Sequence, residues 1–180
     1  MPRFSTRTWC TNLRSNSSDA ELRELWQQLA DDPQTPDRFE LTEHGGLVWR
    51  PPSTNNRQAL AAVVMEQLGE QLGSPAFPRL SVLTSVGVRV PEVSWLPSKR
   101  WAEALKDGPL EVVPPVVVEV LSTYDHPAAT AHKVSAYLAG GATEVAVIGL
   151  TGVVRYHRED GEHSISATGL ELRLDSVLAA

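Results

Sequence analysis

The feature of this sequence that most constrains its fold is a strongly apolar stretch, Val112–Ser122. Pro114 and Pro115 end whatever element precedes it, and a run of branched aliphatic residues, interrupted only by the acid Glu119, follows at strand length. A near-continuous apolar run of this kind is typical of a strand that is buried on both faces in a helix-covered sheet. We therefore expect the fold to be built around this strand.

Glu119 is the one residue of this strand that needs a partner. Side chains alternate across a strand, so Val117, Glu119 and Leu121 share one face and the even-numbered valines from 116 to 120 share the other. An unpaired carboxylate among aliphatic side chains would be costly enough to take up a proton instead. Three outcomes are open: a buried pair with Arg or Lys, a proton, or a metal ion.

Length and composition narrow the class of protein. The 180 residues are enough for one domain with a sizeable core, and 42% hydrophobic and 21% charged residues are ordinary for a globular protein. No apolar run reaches membrane-spanning length, so we expect no transmembrane helix and no membrane partner. The single Cys10 excludes an internal disulfide and a Cys-based zinc site. One free thiol also suits the cytoplasm.

The net charge of −6 bears on nucleic-acid binding. Proteins that bind nucleic acid mainly through phosphate contacts are usually basic, so this charge argues against a large non-specific DNA surface. It leaves room for a small basic cleft. It is also compatible with a metal-dependent site, because the cation then supplies the local positive charge.

The order of elements predicts an α/β fold with a central mixed β-sheet, flanking helices and β-hairpins near both ends. Residues 1–18 contain no acid, and we expect them to form a disordered lead-in to a single domain over 19–180. Capping residues and helical spacing predict helices over 19–31, from the turn at 53–56 to about 72, and over 126–139, with a short helix or loop over 99–106. Apolar runs and turn residues predict strands over 38–41, 47–50, 80–84, 85–89, 90–96, 112–122, 143–150, 153–158, 164–167 and 170–174.

Three charged residues converge if the predicted strands lie side by side. Glu92 precedes a short strand, Glu119 lies in the central strand, and Lys133 lies on the helix that follows it. Two carboxylates from adjacent strands can hold a divalent cation with oxygen ligands, which suits Mg²⁺ or Mn²⁺ rather than zinc. A neighbouring lysine can orient water or stabilise charge on a phosphate. The ordinary alternatives are a solvated strand-edge acid for Glu92 and a surface lysine for Lys133.

The residues around these positions resemble a known family. Pro91-Glu92-Val93, then Val117–Ser122, then Lys133 with Tyr137 are similar to the motifs of the Uma-two family of restriction-endonuclease-like proteins, a bacterial branch of the PD-(D/E)xK nuclease superfamily. The likeness covers residues 20–180, and it includes the hairpin region at 38–48. It implies a restriction-endonuclease-like core, an endonuclease activity on nucleic acid, with DNA the first expectation, and a homodimer.

The resemblance also implies roles for individual residues. Glu92 and Glu119 would be ligands of Mg²⁺ or Mn²⁺, with the Val120 carbonyl as a third. Lys133 would be the catalytic lysine, moved from the strand onto the helix, and Ser122 would stand at the strand position that holds lysine in the standard motif.

Three further residues are implied as supporting members of the site. Glu40 matches an acid that approaches from the N-terminal segment, and Asp125 and Tyr137 are candidates close to the ligands. Tyr137 lies one helical turn after Lys133, so both face the same way. Two alternatives stay open: Asp125 caps the helix, and Tyr137 only packs beneath it.

Two departures from the family pattern favour a second hypothesis. Glu92 stands where aspartate is usual, and Arg57-Gln58 stands where a histidine is often found. Together with the acidic net charge, these departures favour a catalytically inactive protein of the same fold, acting as a binding or dimerisation module. A shared cleft for Glu92, Glu119 and Lys133 favours the enzyme, whereas an arginine paired with Glu119 argues against it.

Overall fold

The computed structural model describes residues 16–104 and 107–178. The predicted disordered lead-in lies outside these residues except for its last three positions. Ser18, the last of them, is the N-cap of the first helix: its hydroxyl accepts a hydrogen bond from the Glu21 N–H, and the Glu21 carboxylate accepts from Ser18. This capping box fixes where the first helix begins.

The helices follow the sequence pattern closely. In the described part of the chain they are α1 (Asp19–Ala30), α2 (Asn55–Leu72), α3 (Ser98–Glu103), α4 (Pro127–Ala139) and α5 (Asp175–Leu178). Thr54 caps the start of α2, and Gly73 ends it in the left-handed conformation that glycine adopts at little cost. None of these five helices has the length and apolarity needed to cross a membrane.

Within the described residues the strands form two sheets. They are β1 (Phe39–Thr42), β2 (Leu47–Trp49), β3 (Ala76–Pro78), β4 (Val82–Thr84), β5 (Gly87–Arg89), β6 (Val93–Trp95), β7 (Val116–Val120), β8 (Glu144–Ile148), β9 (Val154–Arg158) and β10 (Gly161–His163). One sheet has the order β2-β1-β5-β4 and the other β10-β9-β8-β7-β6-β3. The β7–β8 pair is parallel and its neighbours are antiparallel, so the predicted mixed sheet is confirmed. The predicted hairpins near both ends are β1–β2 and β9–β10.

The central strand is β7, and its two faces pack as the alternation predicts. Val116, Val118 and Val120 lie in an apolar cluster with residues of α2. Val117 lies in a second cluster with Val134 and Tyr137 of α4. Glu119, on the same face as Val117, therefore faces α4.

Two predicted strands are wrong: residues 164–167 and 170–174 are not strands. The hydrogen bonds of the second segment come from side chains of α2. The amides of Gln67 and Gln71 each exchange two hydrogen bonds with the backbone, Gln67 with Arg173 and Gln71 with Glu171, at 2.7–3.0 Å. The alternating leucines of this segment gave a strand pattern because they pack on the apolar core. Side-chain amides take the place of the neighbouring strand.

A buried acid outside the predicted site fixes the other wrongly predicted segment. Glu144 is fully buried at the start of β8, where it accepts hydrogen bonds of 2.6 Å from the Ser166 hydroxyl and the Ala167 N–H. These bonds hold the loop at 164–167 against the sheet without pairing it to a strand. The short β3 was not predicted from the sequence.

The two sheets approach each other where Glu92 lies. Gly87 of β5 has φ +105°, and a β-carbon there would lie 2.2 Å from the Leu41 carbonyl oxygen of β1. Glycine is therefore required for β5 to pair with β1, the strand that carries Glu40. From β5 the chain passes through Val90–Glu92 directly into β6 of the other sheet. Acids from both sheets meet at this junction.

Candidate active site

Glu40, Glu92 and Glu119 converge at the junction of the two sheets. They come from β1, the segment before β6, and β7, and their residues are 2%, 5% and 4% exposed. All three line one small pocket together with Lys133. The structure thus brings Glu92, Glu119 and Lys133 together, and the interpretation of Glu92 as a solvated strand-edge acid is wrong.

Lys133 bridges acids of the two sheets. Its Nζ donates a hydrogen bond of 2.5 Å to Glu40 Oε1 and lies 3.6 Å from Glu119 Oε1. The lysine side chain is only 12% exposed. The alternative of a surface lysine is therefore wrong, and Lys133 holds two buried carboxylates by its charge.

Tyr137 completes the surroundings of Glu119. Its hydroxyl donates a hydrogen bond of 2.9 Å to Glu119 Oε1, and both side chains are buried. Burial raises the pKa of Glu119 above its ordinary value of 4.5, Lys133 opposes this effect, and the nearby Glu40 charge adds to it. Burial and the same two acids raise the pKa of Tyr137 well above 10.0, so the phenol keeps its proton as a donor. Tyr137 both packs beneath the helix and contacts the acid.

Glu92 is paired with two arginines that sequence reasoning missed. Its Oε1 atom lies 2.6 Å from Arg38 Nη2 and 2.8 Å from Arg57 Nη2. Arg57 comes from the first turn of α2 and is 93% buried, as a relative exposure of 7% indicates. The departure from the family pattern at position 57 was the one signal in the sequence that could have identified it. The arginines thus pair with Glu92, whereas the cation near Glu119 is Lys133.

Asp125 extends this arginine network. It accepts hydrogen bonds from the Ser122 N–H at 2.8 Å, the Ser122 hydroxyl at 2.7 Å and Arg50 Nη2 at 2.8 Å, and it lies 3.8 Å from Arg57 Nη1. Burial would raise the pKa of Asp125, but the hydrogen bonds from Ser122 and Arg50 outweigh burial and lower it. The alternative that Asp125 caps the next helix is wrong, because His126 caps α4.

The role expected for Ser122 is also corrected. In the glutamate-x-lysine motif the lysine lies two residues after the glutamate. Counted from Glu119, that position is occupied by Leu121 and not by Ser122. Leu121 is partly buried against the apolar cluster under α4. Ser122 instead fixes Asp125, and through it the position of Arg50.

The pocket has an excess of positive charge although the whole chain carries −6. Its lining contains three acids and five basic residues, which are Arg38, Arg50, Arg57, Arg79 and Lys133. The space left for water among these side chains is about 10 Å³, close to the smallest that holds one water molecule. The ion pairs fill the site, and its excess charge favours an anion at its mouth.

The fit to a divalent cation rests on the chemistry of the donors. Glu92 and Glu119 offer carboxylate oxygens, which Mg²⁺ and Mn²⁺ prefer. Within 16–104 and 107–178, no group of three or more His, Cys, Asp or Glu side chains is arranged to hold a metal ion. A site here needs a main-chain oxygen as well, and cation binding competes with Arg38 and Arg57 for Glu92.

The Val120 carbonyl has no N–H opposite it on the side of β6. The β6–β7 register pairs Val93 with Val118. Continued by two residues, it sets Val120 opposite Pro91, which has no N–H to donate. By donor type, two carboxylates and one carbonyl suit a hard divalent cation; Glu92 and Glu119 line the pocket and Val120 adjoins it in the chain.

Comparison with known proteins gives a family and a fold. The family model described as "Uma2: Putative restriction endonuclease" matches residues 23–179. A crystal structure described as "a putative nuclease belonging to DUF820", from Anabaena variabilis, superposes with a TM-score of 0.67 at 15% sequence identity, over 86% of this chain and 97% of that chain. No curated protein matches the sequence.

Proposed function

Because this chain belongs to the Uma2 family, we propose that it is a nuclease that hydrolyses phosphodiester bonds with the help of Mg²⁺ or Mn²⁺. The convergence of Glu92, Glu119 and Lys133 in one positively charged pocket supports this proposal most directly. Both the family description and the crystal structure that shares the fold refer to nucleases. The basic lining of the pocket suits a polyanionic substrate, and we take DNA as the substrate to test first.

In this proposal Glu92, Glu119 and the Val120 carbonyl hold the cation. A Mg²⁺ or Mn²⁺ ion held by these residues would supply Lewis-acid chemistry for the hydrolysis of the phosphodiester. Tyr137 fixes the carboxylate of Glu119 by its hydrogen bond. The side chain of Glu119 is then already oriented before the cation arrives, which reduces the entropy lost on binding.

Lys133 acts on the phosphate. Its ammonium group is anchored by Glu40 on one side and faces Glu119 on the other. A lysine held at this point can orient the attacking water and stabilise negative charge that develops on the phosphate oxygens. Glu40 is then a positioning residue, because it contacts Lys133 through a hydrogen bond and fixes its Nζ.

The expected homodimer is part of the proposal. A duplex has two strands of opposite polarity, and each chain carries one candidate site. Two copies related by a twofold axis would present one site to each strand.

The pairing of Glu92 with Arg38 and Arg57 favours a second candidate, a catalytically inactive protein of the same fold that binds a partner or another copy. In such a protein the two guanidinium groups neutralise Glu92 permanently. The two candidates differ in whether a cation can replace the arginines. A cleavage assay separates them.

The test is cleavage of supercoiled plasmid DNA in millimolar Mg²⁺ or Mn²⁺. We expect the wild type to nick or linearise the plasmid, EDTA to stop the reaction, and Glu119→Gln to lower the rate by at least about 100-fold, the usual loss when one preorganised electrostatic group is removed. Glu66→Gln on the exposed face of α2 makes the same change of charge outside the site and should cleave like the wild type. Cleavage by Glu119→Gln at the wild-type rate, or none by the wild type, would refute the proposal.

A further inference from the structure

Arg79, which lines the site pocket, has an unusual backbone conformation. It follows β3, its side chain is exposed, and its φ of +52° makes it the one non-glycine residue with positive φ among those described. Its N–H donates a hydrogen bond of 3.1 Å to the carbonyl of Glu92, so the strained backbone is fixed to the acid proposed as a ligand. Strain of this kind persists where the surrounding structure imposes it, and it is enriched at ligand sites.

The positive charge of the Arg79 guanidinium group has no carboxylate in direct contact among the described residues. Its hydrogen bond is a long one, 3.3 Å from Nη2 to the Asp37 carbonyl, and it has no carboxylate within 4.0 Å in the described chain. Arg38, Arg50 and Arg57, by contrast, are each paired with a carboxylate. Partial burial and the nearby charge of Arg38 lower the pKa of Arg79, and the charges of Glu92 and Asp37 oppose this effect only in part. Arginine nevertheless stays protonated in proteins, so a positive charge with no carboxylate of the described chain in direct contact remains at this point.

Arg79 and Arg38 also line a second, more open cavity of about 520 Å³, which shares Glu92 with the site pocket. This volume is within the range of ligand sites. Its lining includes the apolar residues Ala61, Met65 and Pro78, and the acids Asp37 and Glu92 lie beside the two arginines. Arginines next to apolar side chains match a nucleotide, which has an anionic phosphate beside a sugar and a base.

We propose that Arg79, assisted by Arg38, binds a phosphate of the nucleotide next to the bond that is cut, with its sugar or base against the apolar residues of this cavity. This inference rests on the proposed nuclease function. It assigns the substrate chain a direction across the molecule, from the pocket of Glu119 over Glu92 to Arg79. Arg79 is a binding residue here and takes no part in the chemical step.

The test measures how the affinity for a fluorescein-labelled 16-base-pair DNA duplex depends on salt, by anisotropy in EDTA so that no cleavage occurs. Each lost phosphate contact lowers the slope of log affinity against log salt by about one. We expect Arg79→Gln to lower the slope by about one and Arg79→Lys to retain it. Arg173→Gln, at a side chain 84% exposed on another part of the surface, should leave it unchanged. An unchanged slope for Arg79→Gln, or an equal fall for Arg173→Gln, would overturn the inference.

A second variant separates binding from a structural role. Arg79→Gly relieves the strained backbone, so it should bind DNA like Arg79→Gln and melt no lower than the wild type. A marked fall in its melting temperature would show that Arg79 is structural and would overturn the inference. Plasmid cleavage by the wild type is measured in parallel: cleavage with an unchanged slope for Arg79→Gln refutes the inference alone, whereas a wild type that neither binds nor cleaves refutes the proposed function as well.

Discussion

Replacement of Lys133 by methionine is expected to lower the free energy of unfolding by about 3–5 kcal/mol at pH 8, the usual cost of removing one partner of a buried ion pair. Methionine fills nearly the same space, so the loss is one of charge and not of packing. Glu40 and Glu119, at 2% and 6% side-chain exposure, then share a buried site without their lysine. DNA cleavage by this variant should also fall by at least about 100-fold.

The loss of stability should depend on pH with a definite sign. Lys133 is the main influence that lowers the pKa of Glu119 against the effect of burial, so its removal raises that pKa further. A carboxyl group whose folded pKa lies above its unfolded value stabilises the fold fully below the unfolded pKa, and this contribution is lost as the pH rises through the folded pKa. The loss in free energy of unfolding caused by Lys133→Met should therefore be largest at pH 8. It should shrink as the pH falls towards 4.5, the ordinary pKa of Glu119.

Urea unfolding of the wild type and Lys133→Met between pH 5 and pH 8 measures both effects. The matched control is Lys99→Met, because Lys99 is exposed on α3; we expect it to change the free energy by less than about 0.5 kcal/mol. A deficit for Lys133→Met that is small, or that grows as the pH falls, would mean that the lysine is not the charge that holds these acids.

Replacement of Arg57 by methionine is expected to cost about 3 kcal/mol of stability, the low end for a broken buried pair. Arg57 is buried and contacts Glu92 and Asp125, but each acid keeps a second arginine, Arg38 or Arg50. The methionine retains the apolar stem, so the variant isolates the charge. Urea unfolding at pH 7 gives the value.

A double-mutant cycle attributes this cost to the pair. If Glu92 is the partner that matters, Glu92→Gln in the Arg57→Met background should be less harmful than Glu92→Gln alone. Arg173→Met, at an exposed pair with Glu171, is the control and should have almost no effect. Additive effects of the two substitutions at positions 57 and 92 would contradict the network described here.

The parts of the fold that the sequence predicts are those set by local patterns. The apolar run around Val116–Val120, the capping of α1 and α2, and the spacing of Lys133 and Tyr137 on α4 each depend on neighbours within a few residues. The alternation of β7 placed Glu119 on the side of α4, where its partners lie. Local patterns suffice there because the residues in contact, Glu119 on β7 and Lys133 and Tyr137 on α4, belong to consecutive elements of the chain.

The partners of Glu92 and Glu40 could not be predicted because they are distant in sequence. Arg38 lies 54 residues from Glu92, Arg50 lies 75 from Asp125, and Lys133 lies 93 from Glu40. No spacing rule relates such residues, and each arginine taken alone resembles a surface charge. The prediction of a strand over 170–174 is wrong for a related reason. The leucines alternate because they pack on the core, but the hydrogen bonds of the segment come from α2, about 100 residues away in the chain.

The most direct test of the account is calorimetric titration of Mn²⁺ into the wild type, Glu119→Gln and the control Glu66→Gln. If Glu92, Glu119 and the Val120 carbonyl form a metal site, the wild type and Glu66→Gln bind Mn²⁺ alike, and Glu119→Gln loses the binding. No binding to the wild type at millimolar Mn²⁺, or equal binding by Glu119→Gln, would contradict the account and leave the arginine-neutralised, inactive protein as the better description.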